Sequence, residues 1–261
     1  MTTADSSPAG RPQSDMFDYL LRLGDDRLVL GHRLSEWCGH APILEEDIAL
    51  ANIALDLVGQ ANLLLTHAAQ KEDAGRDADA LAYLRDGIDF KNSLLVELPK
   101  GDFAWTIARQ FLFSVYAMLQ AEALQRAADK ELAGIAAKMH KESRYHVRHS
   151  GEWMLKLGDG TDESHARLQE AVNDLWRYTG ELFLSDDVEQ RLVGQRLAVD
   201  SSSLEPRWRE QVNDVFNRAR IATPEVKWMQ RGGRGGRHTE YLGHMLAEMQ
   251  ILQRQHPGAS W

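Results

Sequence analysis

The sequence predicts an all-α protein, and three observations carry that expectation. The 7 prolines (Pro8, Pro12, Pro42, Pro99, Pro206, Pro224 and Pro257) fall near the ends or between long proline-free stretches. Those stretches are filled with Ala, Leu, Glu, Gln, Arg and Met, residues that enter a helix at little cost. No run alternates apolar and polar residues and no Asn-Gly hairpin signal occurs, so strands have no pattern to rest on.

Each helix has its own signal. The first is expected from about Met16 to Trp37, with Leu20, Leu23, Leu30, Leu34 and Trp37 near one stripe, Arg27 interrupting it, and Gly39 and Pro42 closing it. The second follows Pro42 and runs to about Gln70. It is apolar almost all round, which predicts protein on most sides of it. A short helix near Asp79–Arg85 and an irregular stretch through Pro99-Lys100-Gly101 precede a third long helix, about Asp102 to Ala128, with Ala108, Phe111, Leu112, Val115, Met118 and Leu119 inward. A fourth, about Lys130 to Leu157, ends at Gly158-Asp159-Gly160. Then come a helix over about Glu163–Leu184, one helix before Thr223-Pro224, a Gly/Arg loop from Arg231 to Arg237, and a last helix over about Thr239–Gln255. Two long helices, a long connection and two more is the chain order of a ferritin-like four-helix bundle, here with additional C-terminal helices; a generic up-down bundle reads much the same.

The 261 residues suit one domain, expected over 15–261, after a Ser-, Thr-, Pro- and Gly-rich lead-in at 1–14 that reads as disordered and not as a signal peptide. A net charge of -9 argues against a general binder of nucleic acid or anionic membrane. The single cysteine, Cys38, permits no internal disulfide and reads as a packing residue. No segment reads as long and charge-free enough to span a bilayer, so a cytoplasmic location is expected.

The chemistry turns on polar residues along the inner faces. A di-iron carboxylate site in such a bundle takes one Glu from each of two helices and a Glu-x-x-His pair from each of the other two, because residues three apart share a side. The third helix offers Glu122. The fourth offers Glu142, His146 and His149 on one face continuing to Trp153, but Tyr145 stands where the pair needs an imidazole. The second has Asn52, Asp56 and Gln60 as a polar stripe, and three after Asp56 comes Gly59, which ligates nothing. The first has Glu36, with His32 a turn earlier. Two readings follow: a metal site with substituted ligands, or a network in which Asn52, Asp56, Gln60, Glu122, Tyr145 and His146 satisfy one another. Loss of both Glu-x-x-His pairs favours the network, so Asp56, Glu122, Glu142, Tyr145 and His146 are degenerate metal-site positions, with no catalytic residue and no metal expected in this chain.

No Gly-x-Ser-x-Gly and no Walker-type Gly-Lys-Ser/Thr occurs. In the Gly/Arg loop, Arg231, Arg234 and Arg237 are suited to phosphate groups or to a partner's acids; the plainer reading is a solvated, mobile loop. The tryptophans Trp105, Trp153, Trp176, Trp208, Trp228 and Trp261 supply material for core and interface alike.

Several longer strings resemble a known family. Leu21-Arg-Leu-Gly-Asp-Asp26, Leu34-Ser-Glu-Trp-Cys-Gly-His-Ala-Pro42, Ala49-Leu-Ala-Asn-Ile-Ala-Leu-Asp-Leu57, Lys141-Glu-Ser-Arg-Tyr-His146, Leu157-Gly-Asp-Gly-Thr-Asp162 and His238-Thr-Glu-Tyr-Leu-Gly-His-Met-Leu-Ala-Glu-Met-Gln250 are similar to the C subunit of bacterial phenylacetyl-CoA epoxidases. The likeness runs in order from about Asp18 to Trp261. It implies a ferritin-like subunit without a working metal site, paired with a related A subunit that carries a di-iron centre. It also implies a complex that epoxidises the ring of phenylacetyl-CoA with electrons from NADPH through a separate reductase, in cytoplasmic phenylacetate degradation. The C-terminal third, Leu204 to Trp261, is then expected to embrace the A subunit, with Arg231, Arg234 and Arg237 near the CoA phosphates or near its acids.

Overall fold

A computed structural model describes residues 12–259, and among them every regular element is helical. Four long helices dominate: α1 (Pro12–Ser35), α2 (Leu44–Glu72), α5 (Phe103–Leu124) and α6 (Lys130–Gly158). Short α3 (Ala78–Tyr83) and α4 (Leu94–Glu97) lie in the connection between α2 and α5. After α6 come α7 (Asp162–Trp176), α8 (Asp187–Gly194), α9 (Glu205–Ala219) and α10 (Glu240–Gln255), joined by single 3-10 turns.

The lead-in expected at 1–14 lies outside the described residues up to Arg11; Pro12, Gln13 and Ser14 form the first turn of α1. The single helix expected before Thr223-Pro224 is two, α8 and α9, because the chain breaks at Gly194 and restarts with Pro206 in the first turn of α9. The helix expected to reach Leu184 ends at Trp176, and a 3-10 turn over Gly180–Phe183 follows. Carboxylate caps set other starts: Asp102 accepts from the Trp105 amide at 2.8 Å, Asp129 from Leu132 at 2.9 Å, and Asp186 from Glu189 at 3.0 Å. Thr161 and Ser164 form a reciprocal capping box on α7.

Cross-helix contacts fix the directions. Gly24 of α1 lies against Leu64 and Leu65 of α2, and Gly31 against Ala54, Leu57 and Val58, so the two run antiparallel. On α5 and α6, Met118 meets His140 and Phe111 meets Gly151, again antiparallel. Between α2 and α6, Asp56 meets His146 and Gln60 meets Glu142. Between α1 and α5, Arg27 meets Gln120 and Trp37 meets Thr106. Both pairs are antiparallel, so α2 and α5 run the same way and residues 73–102 must travel back along the bundle.

That connection is held by buried acids. Asp25 pairs with Arg85 and accepts from the Lys91 amide at 2.8 Å. Asp26 accepts from the Ser93 amide and from Arg234, both at 2.7 Å. Glu181 accepts from the Leu94 amide at 2.8 Å and the Gly232 amide at 2.7 Å. Glu97 takes the Asn92 amide, the Thr239 amide and His238. The Gly/Arg loop is therefore packed onto this segment and not free in solvent. A Cβ on Gly233 would collide with the Asn92 carbonyl, and one on Gly236, where φ is +76°, with the Ile88 carbonyl.

On the far side α7 and α9 cover α5 and α6. Trp208 is fully buried, 5.6 Å from Trp176 and 5.1 Å from Phe183, and donates its indole N–H to the Leu112 carbonyl at 2.9 Å. Two expectations fail. Cys38 is exposed, since α1 ends at Ser35 and leaves it on the turn that follows. The α2 helix is not enclosed: Leu44, Ile48 and Leu55 face out. Its apolar length is also enough, by composition alone, to cross a membrane, with an 18-residue window of mean hydropathy 1.6. Its inner side is packed on α1 and α6 by the pairs given above.

Candidate functional site

At mid-bundle, where ligands of a metal pair would converge, stands a guanidinium. Arg27 of α1 is fully buried. It donates from Nε to Gln60 Oε1 of α2 at 3.1 Å, from one terminal nitrogen to Gln120 Oε1 of α5 at 3.2 Å, and from the other to the Leu23 carbonyl at 2.8 Å. Gln60 passes the link to α6, its Nε2 donating to Glu142 Oε2 at 2.9 Å. Gln120 Nε2 donates to the Tyr116 hydroxyl at 2.7 Å. One polar chain thus crosses all four long helices. Burial pulls the Arg27 pKa below its ordinary value and nearby Asp26 works the other way; a guanidinium has so high a starting value that it stays charged. Burial also pushes the Tyr116 phenol up to about 12, so its hydroxyl keeps its proton.

The sequence-predicted positions are spread around this centre. His146 is buried and meets Asp56 at 3.0 Å. One turn on, His149 meets Glu46 at 2.8 Å. Tyr145 is exposed at the bundle surface, stacked on the His149 ring at 6.0 Å. Glu122 does not face inward: it turns to Arg207 of α9 at 3.0 Å, in a half-exposed pair. Asn52 is exposed, and Glu36 pairs with Arg33 at 2.7 Å near the end of α1. The network read from sequence therefore splits in two. Gln60 and Glu142 belong to the Arg27 chain, Asp56 and His146 form a separate pair, and Glu122, Tyr145 and Asn52 belong to neither.

These residues do not fit a di-iron centre. Among the described residues no group of three or more His, Cys, Asp or Glu is placed to hold a metal ion. At the centre the oxygen donors from α2 and α5 are carboxamides, and a fixed positive charge stands between them. A divalent cation needs anionic oxygens there and would be repelled by the guanidinium.

Of the three loop arginines, Arg234 is committed to the interior. It pairs with Asp26 and donates to the Lys91 carbonyl at 2.8 Å and the Arg22 carbonyl at 3.2 Å. Burial opposes its charge, but Asp26 and its other neighbours outweigh that and raise its pKa further. Arg231 and Arg237 are exposed. Sequence reasoning missed Gln120, Tyr116 and the acid-pinned connection. Its pointers to the centre were Arg27 breaking an apolar stripe and the inner-face Gln60 and Glu142.

An all-helical protein whose bundle centre is bridged by an arginine and two glutamines is the class that fold and site define. Comparison with known proteins supplies the rest. The family model described as phenylacetic acid catabolic protein matches residues 1–261, and the chain belongs to that family. The C subunit of the 1,2-phenylacetyl-CoA epoxidase of Escherichia coli (strain K12) is 49% identical over 243 residues, covering 93% of this chain and 98% of that protein.

Proposed function

We propose that this chain is the non-catalytic, ferritin-like structural subunit of a phenylacetyl-CoA ring-1,2-epoxidase, pairing with and stabilising a di-iron catalytic A subunit served by a separate reductase. The observation that carries the reading is the Arg27 guanidinium at mid-bundle, with carboxamides of Gln60 and Gln120 where iron would need carboxylates. The helix directions support the ferritin-like part: α2 and α5 run parallel with a long connection between them, as that bundle type requires. The 49% identical relative is the C subunit of its epoxidase, which supports a place in an enzyme of several subunits.

The test is to express the chain alone and with the A subunit from the same genome, then measure complex formation by size exclusion and iron by elemental analysis. The expected result is an iron-free chain that forms a stable complex with an iron-containing partner. Near-stoichiometric iron in the chain alone would instead favour an active di-metal oxygenase with an atypical ligand set, and would overturn the proposal.

A further inference from the structure

A small polar cavity lies between α1, α5, α8 and the turn over Gly180–Phe183, bordered by Tyr19, Tyr116, Gln120, Glu189, Ser201 and Arg234. The first five of these are buried. The cavity volume is about 10 Å³, close to what a single water molecule requires. Internal sites of that size are occupied where two to four polar groups converge, and stay dry where the lining is apolar.

The groups around it have hydrogen-bonding capacity to spare. Tyr19 Oη accepts from the Val199 amide at 3.4 Å, and no acceptor among the described residues takes its proton. Tyr116 Oη accepts from Gln120 Nε2 at 2.7 Å, and its own proton meets Ser201 Oγ only at 3.5 Å, too long for a good O–H···O bond. Ser201 spends its hydroxyl proton on Glu189 at 3.0 Å and its amide on the same carboxylate at 2.7 Å. No Lys, Arg or His among the described residues forms an ion pair with Glu189. Burial pushes its carboxyl up even so. Burial first, and then the nearby Glu189, push the Tyr19 phenol up, so Tyr19 keeps its proton as Tyr116 does. Two buried phenol protons without good acceptors thus face a desolvated carboxylate without a cation, and each of these is costly to leave unmet.

We infer that this cavity binds one internal water molecule, which accepts from the Tyr19 and Tyr116 hydroxyls and donates to Glu189. Water has two acceptor and two donor positions, so one molecule meets both surplus protons and the carboxylate together. It also lengthens the polar chain of the bundle centre. Arg27, Gln120 and Tyr116 are already linked in series, and the water joins them to Glu189 on α8. An ion is a poorer occupant. Arg22 and Arg234, the cations that border the cavity, are neutralised by Asp18 and Asp186 and by Asp26. An anion would therefore meet the uncompensated Glu189, and a cation would meet two phenol protons.

The test uses the full-length chain and needs no partner. A high-resolution crystal structure is expected to show one water within hydrogen-bond distance of Tyr19 Oη, Tyr116 Oη and a Glu189 carboxylate oxygen. Density without a water, or a water bonded to only one of the three, would overturn the inference. Crystals soaked in bromide and in rubidium separate water from an ion: an anomalous peak in the cavity with either would also overturn it. A solution measurement uses Tyr19→Phe, Tyr116→Phe and the double variant in urea denaturation. The two hydroxyls share no direct hydrogen bond, so any coupling between them must pass through what lies between. The double variant should be destabilised by about 5-fold less, in its unfolding equilibrium constant, than the product of the two single effects. Effects that multiply, or that exceed the product, would show that no shared water joins the two phenols. The wild-type crystal decides the matter if a variant fails to fold.

Discussion

Arg27→Met tests whether the mid-bundle guanidinium holds the four helices together. The substitution keeps the aliphatic stem and removes three hydrogen bonds, to Gln60, Gln120 and the Leu23 carbonyl. The Leu23 carbonyl keeps a helical partner, but Gln60 Oε1 and Gln120 Oε1 are left in a site that water does not reach. Each stranded acceptor costs about 1–3 kcal/mol. Relief of the buried charge's desolvation works the other way and offsets part of that cost. The net expectation is a loss of about 2–4 kcal/mol, which in a chain of this size lowers the melting temperature by roughly 2–4 °C per kcal/mol, near 10 °C in all. The assay is urea denaturation at neutral pH with helicity as the signal. A double variant, Arg27→Met with Gln120→Met, should cost less than the two single changes added, with a coupling of about 1–2 kcal/mol. If Arg27→Met is as stable as wild type, or if the pair is additive, Arg27 is a tolerated burden and not the tie inferred from its contacts.

Three further outcomes are expected. Both ring nitrogens of His238 face acceptors, Glu97 at 2.7 Å and the Phe90 carbonyl at 3.0 Å. Burial alone would pull its pKa down, but these partners raise it. Its contribution is then complete below the unfolded value of about 6.5 and is lost as pH rises through the higher folded value, so the urea midpoint should fall on the alkaline side and His238→Gln should flatten that fall. Burial pushes Asp129 up, yet the Leu132 amide, Lys71 and His67 outweigh it and hold it at about 2. Its contribution is present above the unfolded value of about 3.9 and disappears as pH drops through the folded one, and Asp129→Ala should cost about 1–2 kcal/mol at neutral pH in thermal melts. Trp208→Ala, which empties the aromatic cluster between α5, α7 and α9, should cost about 3–5 kcal/mol by denaturant titration; a change under about 1 kcal/mol would show that this cluster contributes little to the fold.

The long helices were legible because their signals are local. Proline spacing, apolar periodicity and the Gly158-Asp159-Gly160 stop place α1, α2, α5 and α6 to within a few residues. Cross-chain partners were not legible. Glu122 lies one turn from Met118 and Leu119, and periodicity alone points it inward; the competing Arg207 arrives from α9, 85 residues later. The Gly/Arg loop reads as flexible because glycines do so by default, whereas here Gly233 and Gly236 are what let it lie against the 88–94 segment while Arg234 reaches Asp26. The exposed stripe of α2 escaped for a related reason: an apolar helix looks the same in sequence whether its outer side is covered by its own chain or left exposed.

The mid-bundle composition also gives a physical account of how the polar groups at the centre balance one another. Carboxylates facing one another across four helices repel unless a cation sits among them, and the cost rises as the site dries. The neutral carboxamides of Gln60 and Gln120 avoid that repulsion while presenting oxygen acceptors on α2 and α5. Arg27 then supplies a fixed positive charge with forked donors, doing covalently what a bound ion would do reversibly. Glu142 is tied in through Gln60 and stays part-exposed at the α2–α6 seam, so its charge is not fully desolvated. The centre is thus cross-linked from α1 to α2, α5 and α6 by side chains of the chain itself. Loss of either glutamine carboxamide should therefore act on stability through the same network as loss of Arg27, and Gln60→Leu is expected to cost more than Gln120→Leu in urea denaturation, because Gln60 also holds Glu142.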